Sequence, residues 1–151
     1  MKLTVCAVGR LKSGPERDLL EKYRRRITWA LNIVEIEERR RLIAAELKRR
    51  ECALLEQAVP AGCVRVVMDE RGKSWTSREF ADKLGNWRDQ ARDVAFMIGG
   101  AGGLDSDLRQ SADATISFGA ATWPHQLARA MLVEQIYRAQ EILAGHPYHR
   151  D

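Results

Sequence analysis

The stretch VAFMIGGAGGLD, residues 94–105, runs from a short apolar segment directly into a loop with four glycines. The apolar segment predicts a strand over 94–100 that is buried on both faces, as in parallel sheets covered by helices. In such sheets, ligands bind at the carboxyl ends of the strands. Glycines there permit positive φ angles and let a flat ligand or a second backbone come close. We therefore predict a parallel sheet with a ligand-contacting loop at 98–105, and a purely structural tight turn is the alternative.

The rest of the chain alternates between strand-like and helix-like segments. Short β-branched apolar runs predict strands, and apolar residues at helical spacing among charged residues predict helices. The predicted strands cover 2–8, 31–38, 63–69, 94–100 and 114–119, and the predicted helices cover 15–26, 39–58, 77–91 and 124 to about 144. Strands that alternate with helices form a parallel sheet with helices on both faces. Because there is no linker, repeat or low-complexity segment, residues 1–151 are predicted to form one α/β domain.

Composition restricts the class of protein. Of the 151 residues, 45% are hydrophobic and 30% are charged, and the formal net charge is +4. No apolar run approaches the ~20 residues that cross a bilayer, and the amino-terminal segment lacks a secretory cleavage site, so we expect a cytoplasmic protein without a membrane partner. The positive charge makes nucleic acid a candidate partner. The cysteines are odd in number and lack the close pairing of a zinc or redox site, so we expect small buried side chains and no metal at Cys6, Cys52 and Cys63.

Two glycine-containing segments resemble nucleotide-binding motifs but fail on spacing. RGKSW, residues 71–75, holds the Gly-Lys-Ser that closes a phosphate loop, yet Val67 stands where that motif needs a glycine. We predict a surface turn for 71–75. The glycine loop departs from the dinucleotide fingerprint, because Asp105 stands where the third glycine would fall when counted from Gly100.

A second loop of small residues follows the fifth predicted strand. SFGAATWPHQ, residues 117–126, has few side chains that shield its backbone groups. It leaves the carboxyl end of a strand, as the glycine loop does. Taken alone it is an ordinary connection between a strand and a helix, but the two loops together predict a pocket for a flat, polar ligand.

The final predicted helix indicates a second subunit. Its apolar positions go most of the way round the helix between 124 and 144. A helix that is apolar on nearly every side must be covered on nearly every side. One face of a small sheet cannot do this, so we expect part of the helix to pack against another copy of the chain.

Basic residues form clusters at 24–26, 39–41 and 48–50. Glutamates are mixed through the second and third clusters. A solvated helix face and a phosphate-binding stripe are therefore about equally compatible with this charge pattern.

The chain ends in GHPYHRD, residues 145–151. Two histidines, a tyrosine and an arginine supply proton exchange near neutral pH, an aromatic ring and a permanent cation. The alternative is a solvated end that follows a helix stopped by Gly145.

Taken together, these motifs are similar to those of one family. The motifs are strand-IGGxxG-L, a small-residue loop that runs into Pro-His, VEQIYRA in a long helix, a terminal HPYHR, KLxxxAVG at the amino end, and MDERGKSW. The chain resembles the small bacterial SPOUT methyltransferases of the RlmH type, which N3-methylate a pseudouridine in large-subunit (23S) ribosomal RNA. The resemblance covers essentially all 151 residues. It implies an α/β fold with a C-terminal trefoil knot, an obligate homodimer, and S-adenosyl-L-methionine as the cofactor.

The resemblance also implies roles for individual residues. Those carried over as cofactor contacts are Met68, Gly99, Gly100, Phe118, Gly119, Ala120, Ala121, Thr122 and Trp123. Those carried over as catalytic or RNA-contacting residues are His125, Glu134, Arg138, Tyr148, His149 and Arg150. On this hypothesis His149 can act as the general base, Arg150 neutralises charge that develops on the carbonyl oxygens of the nucleobase, and Tyr148 stacks on the nucleobase or hydrogen-bonds to it. The sequence leaves open which tail residue takes the proton. Glu134 and Arg138 lie four residues apart on one helix face, so we expect them to pair and to orient a tail that docks over a cofactor pocket, its own or a partner's.

The sequence departs from the family's pattern at a few positions. Ala101 and Gly102 replace the proline and glutamate of IGGPEG, Gln126 follows His125 where proline is frequent, and Asp151 replaces glutamate. We expect a more flexible loop that lacks a carboxylate partner for the cofactor. Two alternatives follow: a non-catalytic, ribosome-associated RNA-binding protein that has lost the cofactor, and a SPOUT methyltransferase that acts on transfer RNA.

Overall fold

The computed structural model describes residues 1–150, which contain five strands and five helices. The strands are β1 (Lys2–Val8), β2 (Ala30–Ile36), β3 (Val64–Ser74), β4 (Val94–Ile98) and β5 (Ala114–Ser117). The helices are α1 (Pro15–Arg24), α2 (Ala44–Ala58), α3 (Ser77–Asp89), α4 (Ser106–Ser111) and α5 (His125–Leu143). None of the described helices is both long enough and apolar enough to span a membrane.

The five strands form one parallel sheet in the order β2-β1-β4-β3-β5. Parallel strands bring their carboxyl ends to the same edge, so the segments that follow β3, β4 and β5 meet there. The predicted α/β class with a parallel sheet is confirmed. The trefoil knot stays a prediction.

Helices cover both faces of the sheet, also as predicted. Side chains of a strand point alternately to opposite faces. Leu3, Val5 and Ala7 of β1 belong to a core cluster with residues of α3 and α5, whereas Cys6 and Val8 pack with α2 and α4. All three cysteines are buried free thiols, and burial raises the pKa of Cys6 to about 11.

The boundary of α2 differs from the prediction. Residues 39–43 are not helical, and the helix begins at Ala44 after an extended Ile43. Glu38 accepts hydrogen bonds from the backbone N–H and the guanidinium of Arg40 and from the guanidinium of Arg50. These local bonds offer the backbone an alternative to the helix, and they hold the pKa of Glu38 down at about 2.

The segment 71–75 was wrongly predicted to be a surface turn. Strand β3 resumes pairing with β5 after a bulge between Met68 and Lys73 and continues to Ser74. Gly72 makes this possible, because a Cβ at that position would lie 2.6 Å from backbone atoms of Ile116. A further element, α4, was missed because it is only six residues long; Asp105 caps it by accepting the N–H of Leu108 at 2.8 Å.

The chain itself covers much more of α5 than the apolar pattern indicated. Helix α5 packs against α1, α3 and the sheet, and eight of its residues are buried. A second subunit is therefore not needed to cover most of the helix, and its packing against the remainder stays a prediction. A half-exposed stripe with the helical spacing of three or four residues remains at Leu127, Met131, Gln135, Arg138 and Ile142.

Candidate active site

A cleft of about 610 Å³ lies where β3, β4 and β5 end. It is lined by the bulge of β3, the glycine loop after β4, the loop after β5, and the first turn of α5. This volume lies in the range of small-molecule sites, which are concave and carry few polar groups in fixed positions. The lining residues are Lys48, Met68, Asp69, Glu70, Arg71, Ile98–Leu104, Ile116–Gly119, Ala121–His125 and Ala128.

The glycine loop forms a tight turn and also lines the cleft, and its contact with a ligand stays a prediction. Gly103 donates its N–H to the carbonyl of Gly100 at 3.0 Å and has a φ of +73°. A Cβ at Gly99 would lie 3.0 Å from the carbonyl oxygen of Gly103 and from Leu104. A side chain at Gly99 would require the loop backbone or Leu104 to shift by a few tenths of an ångström, so glycine suits this close approach.

A carboxylate lies next to this loop even though the loop has none of its own. The side chain of Glu51, on α2, reaches within 2.7 Å of where a Cβ of Gly100 would be. Burial raises the pKa of the Glu51 carboxyl. Lys48 lies one turn earlier on α2 and lines the cleft. Sequence reasoning missed both residues, since they stood in a charged helix whose orientation was unknown.

The loop after β5 is closed by its own hydrogen bonds. Ser117 Oγ donates to the carbonyl of Gly119 at 2.6 Å and accepts the N–H of Gly119 at 3.1 Å. Trp123 Nε1 donates to the carbonyl of Phe118 at 3.2 Å. Thr122 Oγ1 donates to Glu70 in the bulge of β3 at 2.8 Å, which ties two walls of the cleft together.

His125, at the start of α5, lies in the cleft and not with the other predicted catalytic residues. Its Nδ1 is buried and has no hydrogen-bond partner among the described residues. Burial and the neighbouring cation of Arg129 lower the pKa of His125. The imidazole is therefore neutral near pH 7. Its buried Nδ1 makes no hydrogen bond with the described residues and can bond to a ligand in the cleft.

Arg129, one turn further along α5, is fully buried. Its guanidinium donates to Glu35 at 2.8 Å and to the carbonyls of Val8 and Gly9 at 3.1 and 3.0 Å. These bonds fix the carboxyl end of β1 against α5, directly behind His125. Sequence reasoning gave Arg129 no role, because a buried arginine in an apolar helix has no distinguishing spacing.

The remaining predicted catalytic residues form a separate cluster around Glu134. One carboxylate oxygen of Glu134 accepts hydrogen bonds from Arg138 at 2.6 Å and from the Tyr148 hydroxyl at 3.0 Å. Arg138 also contacts His149 Nδ1 at 3.2 Å. Since a guanidinium can only donate, Nδ1 is the acceptor, and a neutral ring then carries its proton on Nε2.

Aromatic and cationic groups enclose the Tyr148 ring. It packs edge-on against Tyr137 with a centroid distance of 4.8 Å, and the guanidiniums of Arg26 and Arg138 lie 5.5 and 4.9 Å from its centroid. Burial and hydrogen bonds to Tyr23 and Glu134 raise the pKa of Tyr148, so the phenol stays protonated and donates. The end of the chain is thus docked on α1 and α5, and Arg150 is exposed at its tip.

The structure therefore places the predicted residues in two groups. Of the predicted cofactor contacts, all but Ala120 line the cleft, and His125 lines it with them. Glu134, Arg138, Tyr148, His149 and Arg150 do not line the cleft of their own chain.

The cleft has the properties of a site for a flat, polar cofactor. Its walls are backbone-rich, Phe118 and Trp123 supply aromatic surface, and Lys48 and Asp69–Arg71 supply charges at the rim. Within residues 1–150, no three side chains of the metal-ligating types come together. The groups present can bind and orient a ligand by hydrogen bonds and stacking.

Comparison with known proteins gives consistent results. Residues 1–149 match the family described as "Predicted SPOUT methyltransferase". The chain is 56% identical over 151 residues to the ribosomal RNA large subunit methyltransferase H of Rhodospirillum centenum, and 49% identical over 161 residues to that of Paracoccus denitrificans. The first alignment covers 99% of both chains and the second covers 100% of both.

A solved structure shares the fold at low sequence identity. The Legionella pneumophila protein Lpg2936, described as a methyltransferase and solved with the cofactor SAM bound, matches with a TM-score of 0.52 at 14% identity. The match covers 92% of this chain and 66% of that chain.

Proposed function

The chain belongs to the SPOUT methyltransferase family, and from this premise we propose that it transfers a methyl group from S-adenosylmethionine to large-subunit ribosomal RNA, at N3 of a pseudouridine. The observation that carries the proposal is the single cleft formed by the bulge of β3, the glycine loop and the loop after β5. These are the segments that sequence reasoning assigned to the cofactor. The full-length similarity to ribosomal RNA large subunit methyltransferases supports the same substrate.

The residues of the cleft fit the cofactor. The turn at Gly99–Gly103 and the loop at Phe118–Trp123 present backbone groups with little side-chain cover, as a ligand with an adenine and a ribose requires. S-adenosylmethionine, when bound, supplies an electrophilic methyl group on a sulfonium. The chain's task is to align that group with the nucleophile and to exclude water. Lys48 and Glu51 lie at the glycine loop with opposite charges, which suits the two charged ends of an amino-acid moiety.

A proton must leave pseudouridine N3 before that nitrogen becomes a good nucleophile. His149 is the proposed acceptor, as histidine exchanges protons near neutral pH. In the docked tail Arg138 donates to Nδ1, so the neutral ring carries its proton on Nε2. His149 accepts the N3 proton on Nδ1 once the approaching nucleobase displaces Arg138 from that nitrogen. Arg150, exposed at the tip of the tail, is placed to neutralise charge that develops on the base.

We further propose that the protein acts as a homodimer in the cytoplasm. The tail cluster around Glu134 and the cleft lie apart within one chain, so one chain does not assemble the complete set of predicted residues. In a symmetric dimer, the half-exposed stripes of the two α5 helices would pack against each other. This packing would bring the tail of one chain toward the cleft of the other.

The proposed activity is tested by incubating the protein with labelled S-adenosylmethionine and ribosomes, large subunits or transfer RNA. Label is expected in large-subunit RNA alone, and digestion to nucleosides followed by mass spectrometry is expected to identify N3-methylpseudouridine. Label in transfer RNA would contradict the substrate. Calorimetry with S-adenosylmethionine distinguishes a non-catalytic RNA-binding protein, for which no cofactor binding is expected.

A further inference from the structure

A second cavity, of about 300 Å³, lies on the other side of the turn that follows β1. Five cations line it, against two carboxylates: Arg10, Lys12, Arg17, Arg24 and Arg129 against Glu21 and Glu35. The proposed activity assigns no role to this cavity. Its excess of positive charge suits an anion.

Both carboxylates are engaged with groups of the protein. Glu35 accepts hydrogen bonds from the N–H of Leu11 and from Arg129 at 2.8 Å, and Glu21 pairs with Arg24 at 3.4 Å. The side chains of Arg10, Lys12 and Arg17 form no hydrogen bond or ion pair with any described residue, and all three residues are exposed. Three cations thus converge on one cavity without an acidic partner.

The backbone that carries Arg10 and Lys12 is held in place. Gly9 donates its N–H to the carbonyl of Ile36 at 2.8 Å, and its own carbonyl accepts from Arg129 at 3.0 Å. Leu11 between the two cations is buried and bonded to Glu35. The loop therefore presents its charged side chains from a fixed base, which lowers the entropy lost when an anion binds.

The cavity lies next to the cleft. Gly9 separates the two: a Cβ at Gly9 would lie 3.9 Å from the His125 ring, which lines the cleft. Val8, the residue before it, lies against Gly100 of the glycine loop. An RNA strand with one nucleotide in the cleft has its neighbouring phosphates within reach of the cavity.

We propose that Arg10, Lys12 and Arg17 form a phosphate-binding subsite for the RNA strand next to the target nucleotide. The inference rests on the proposed function for its identification of the substrate. Phosphate contacts fix the register of a protein on nucleic acid and carry no sequence information. The subsite positions the strand, and the cleft and tail select the base.

The test compares the triple variant R10Q/K12Q/R17Q with the control K2Q/R88Q/R92Q. The control removes the same residue types and the same charge from exposed positions at the opposite edge of the sheet. Binding to a short single-stranded RNA and to ribosomes is measured over a series of chloride concentrations. Calorimetry with S-adenosylmethionine and a thermal melt accompany each variant, and the single variant R17Q keeps the test valid if the triple variant does not fold.

The subsite variant is expected to weaken RNA binding by at least about tenfold at low salt. It should also reduce the slope of log K against log salt by about 2, since each lost phosphate contact on a single strand removes about 0.7. Cofactor affinity should stay unchanged, and the control should retain most of the slope. Equal losses in both triple variants, or an unchanged slope in the subsite variant, would overturn the inference. A wild-type protein that binds RNA through these residues but methylates no ribosomal RNA would contradict the proposed function and leave the subsite standing.

Discussion

Glu134 is the residue through which α5 holds the end of the chain. Its carboxylate accepts from both Arg138 and Tyr148, and its second oxygen accepts from Gln135 at 2.8 Å. An amide at this position keeps an acceptor oxygen but loses the charge that balances Arg138. The bonds that hold the tail through Glu134 are then weakened while the cleft is untouched.

Glu134→Gln is therefore expected to slow methyl transfer without changing cofactor affinity. Losing a hydrogen bond to a charged group costs about 1.5–3 kcal/mol, which corresponds to a rate roughly 10- to 100-fold lower. Single-turnover rates and calorimetry check the two parts. Glu56→Gln is the matched control, because Glu56 on α2 also pairs with an arginine, Arg65 at 3.0 Å, but lies away from the tail and should leave the rate nearly unchanged. Equal rates in the two variants would remove Glu134 from its proposed role.

His125 gives a prediction about pH. Its pKa is lowered in the folded protein, so the unfolded chain binds the proton more readily. The folded state therefore loses stability as pH falls below the ordinary histidine value of about 6.5, and keeps it above that value. The melting temperature of the wild type is expected to drop more steeply between pH 7.5 and 5.5 than that of His125→Asn. Parallel curves for the two proteins would show that the buried imidazole does not carry this dependence.

At the scale of elements, the contact between β3 and β5 depends on Gly72. A methyl group there would overlap the backbone of Ile116, and backbone cannot move aside as a flexible side chain can. Gly72→Ala is expected to lower the free energy of unfolding by about 1–3 kcal/mol or more, as overpacking does. Because the bulge of β3 carries Glu70, which holds Thr122, cofactor affinity should fall as well.

The control for this variant is Gly102→Ala in the glycine loop. The nearest atom to a Cβ at Gly102 is 4.0 Å away, and this glycine has no positive φ. Urea unfolding curves should place Gly102→Ala close to the wild type. A Gly72→Ala protein with wild-type stability would mean that the strands separate at little cost.

The elements that sequence predicted well are those whose signal is local. Buried strands such as Val94–Ile98 and the long helix α5 follow from runs and periods of apolar residues. Residues 39–43 were mistaken for helix because the bonds of Glu38 that compete with the helix come from side chains whose positions a periodicity does not show. The extension of β3 to Ser74 was missed because its partner, β5, lies far along the chain.

At the scale of the whole molecule, sequence predicted the members of the site better than their arrangement. Two loops were expected to share a pocket, with Met68 added through the family resemblance, and all of them line one cleft because parallel strands end at one edge. His125 was grouped with the tail, but only the fold shows that the first turn of α5 faces the cleft and that Glu134, two and a half turns later, does not. The periodicity of a helix shows on which face a side chain lies, but it does not show which part of the molecule that face contacts.

The separation of cleft and tail leads to a prediction about the dimer. In Ala121→Trp an indole fills the cleft, and in the double variant Tyr148→Ala/His149→Ala the tail is disabled. Each protein alone is expected to be inactive. When equal amounts are unfolded and refolded together, about half of the dimers should contain one chain of each kind. If a tail serves the partner's cleft, each mixed dimer has one intact site out of two, so the mixture should recover about a quarter of the wild-type activity.

The same mixture distinguishes a tail that serves its own cleft. A mixed dimer would then pair a good tail with a blocked cleft in one chain and a good cleft with a disabled tail in the other, and no activity would return. Sedimentation of differently tagged chains shows whether mixed dimers form. If they form and the mixture is inactive, the lack of activity is a property of the mixed dimers. Recovery of about a quarter of the activity would mean that the tail of each chain acts on the cleft of its partner. A silent mixture that contains mixed dimers would mean that the tail undocks from its own α5 to reach its own cleft, which requires breaking the hydrogen bonds from Tyr148 to Glu134 and from Arg138 to His149.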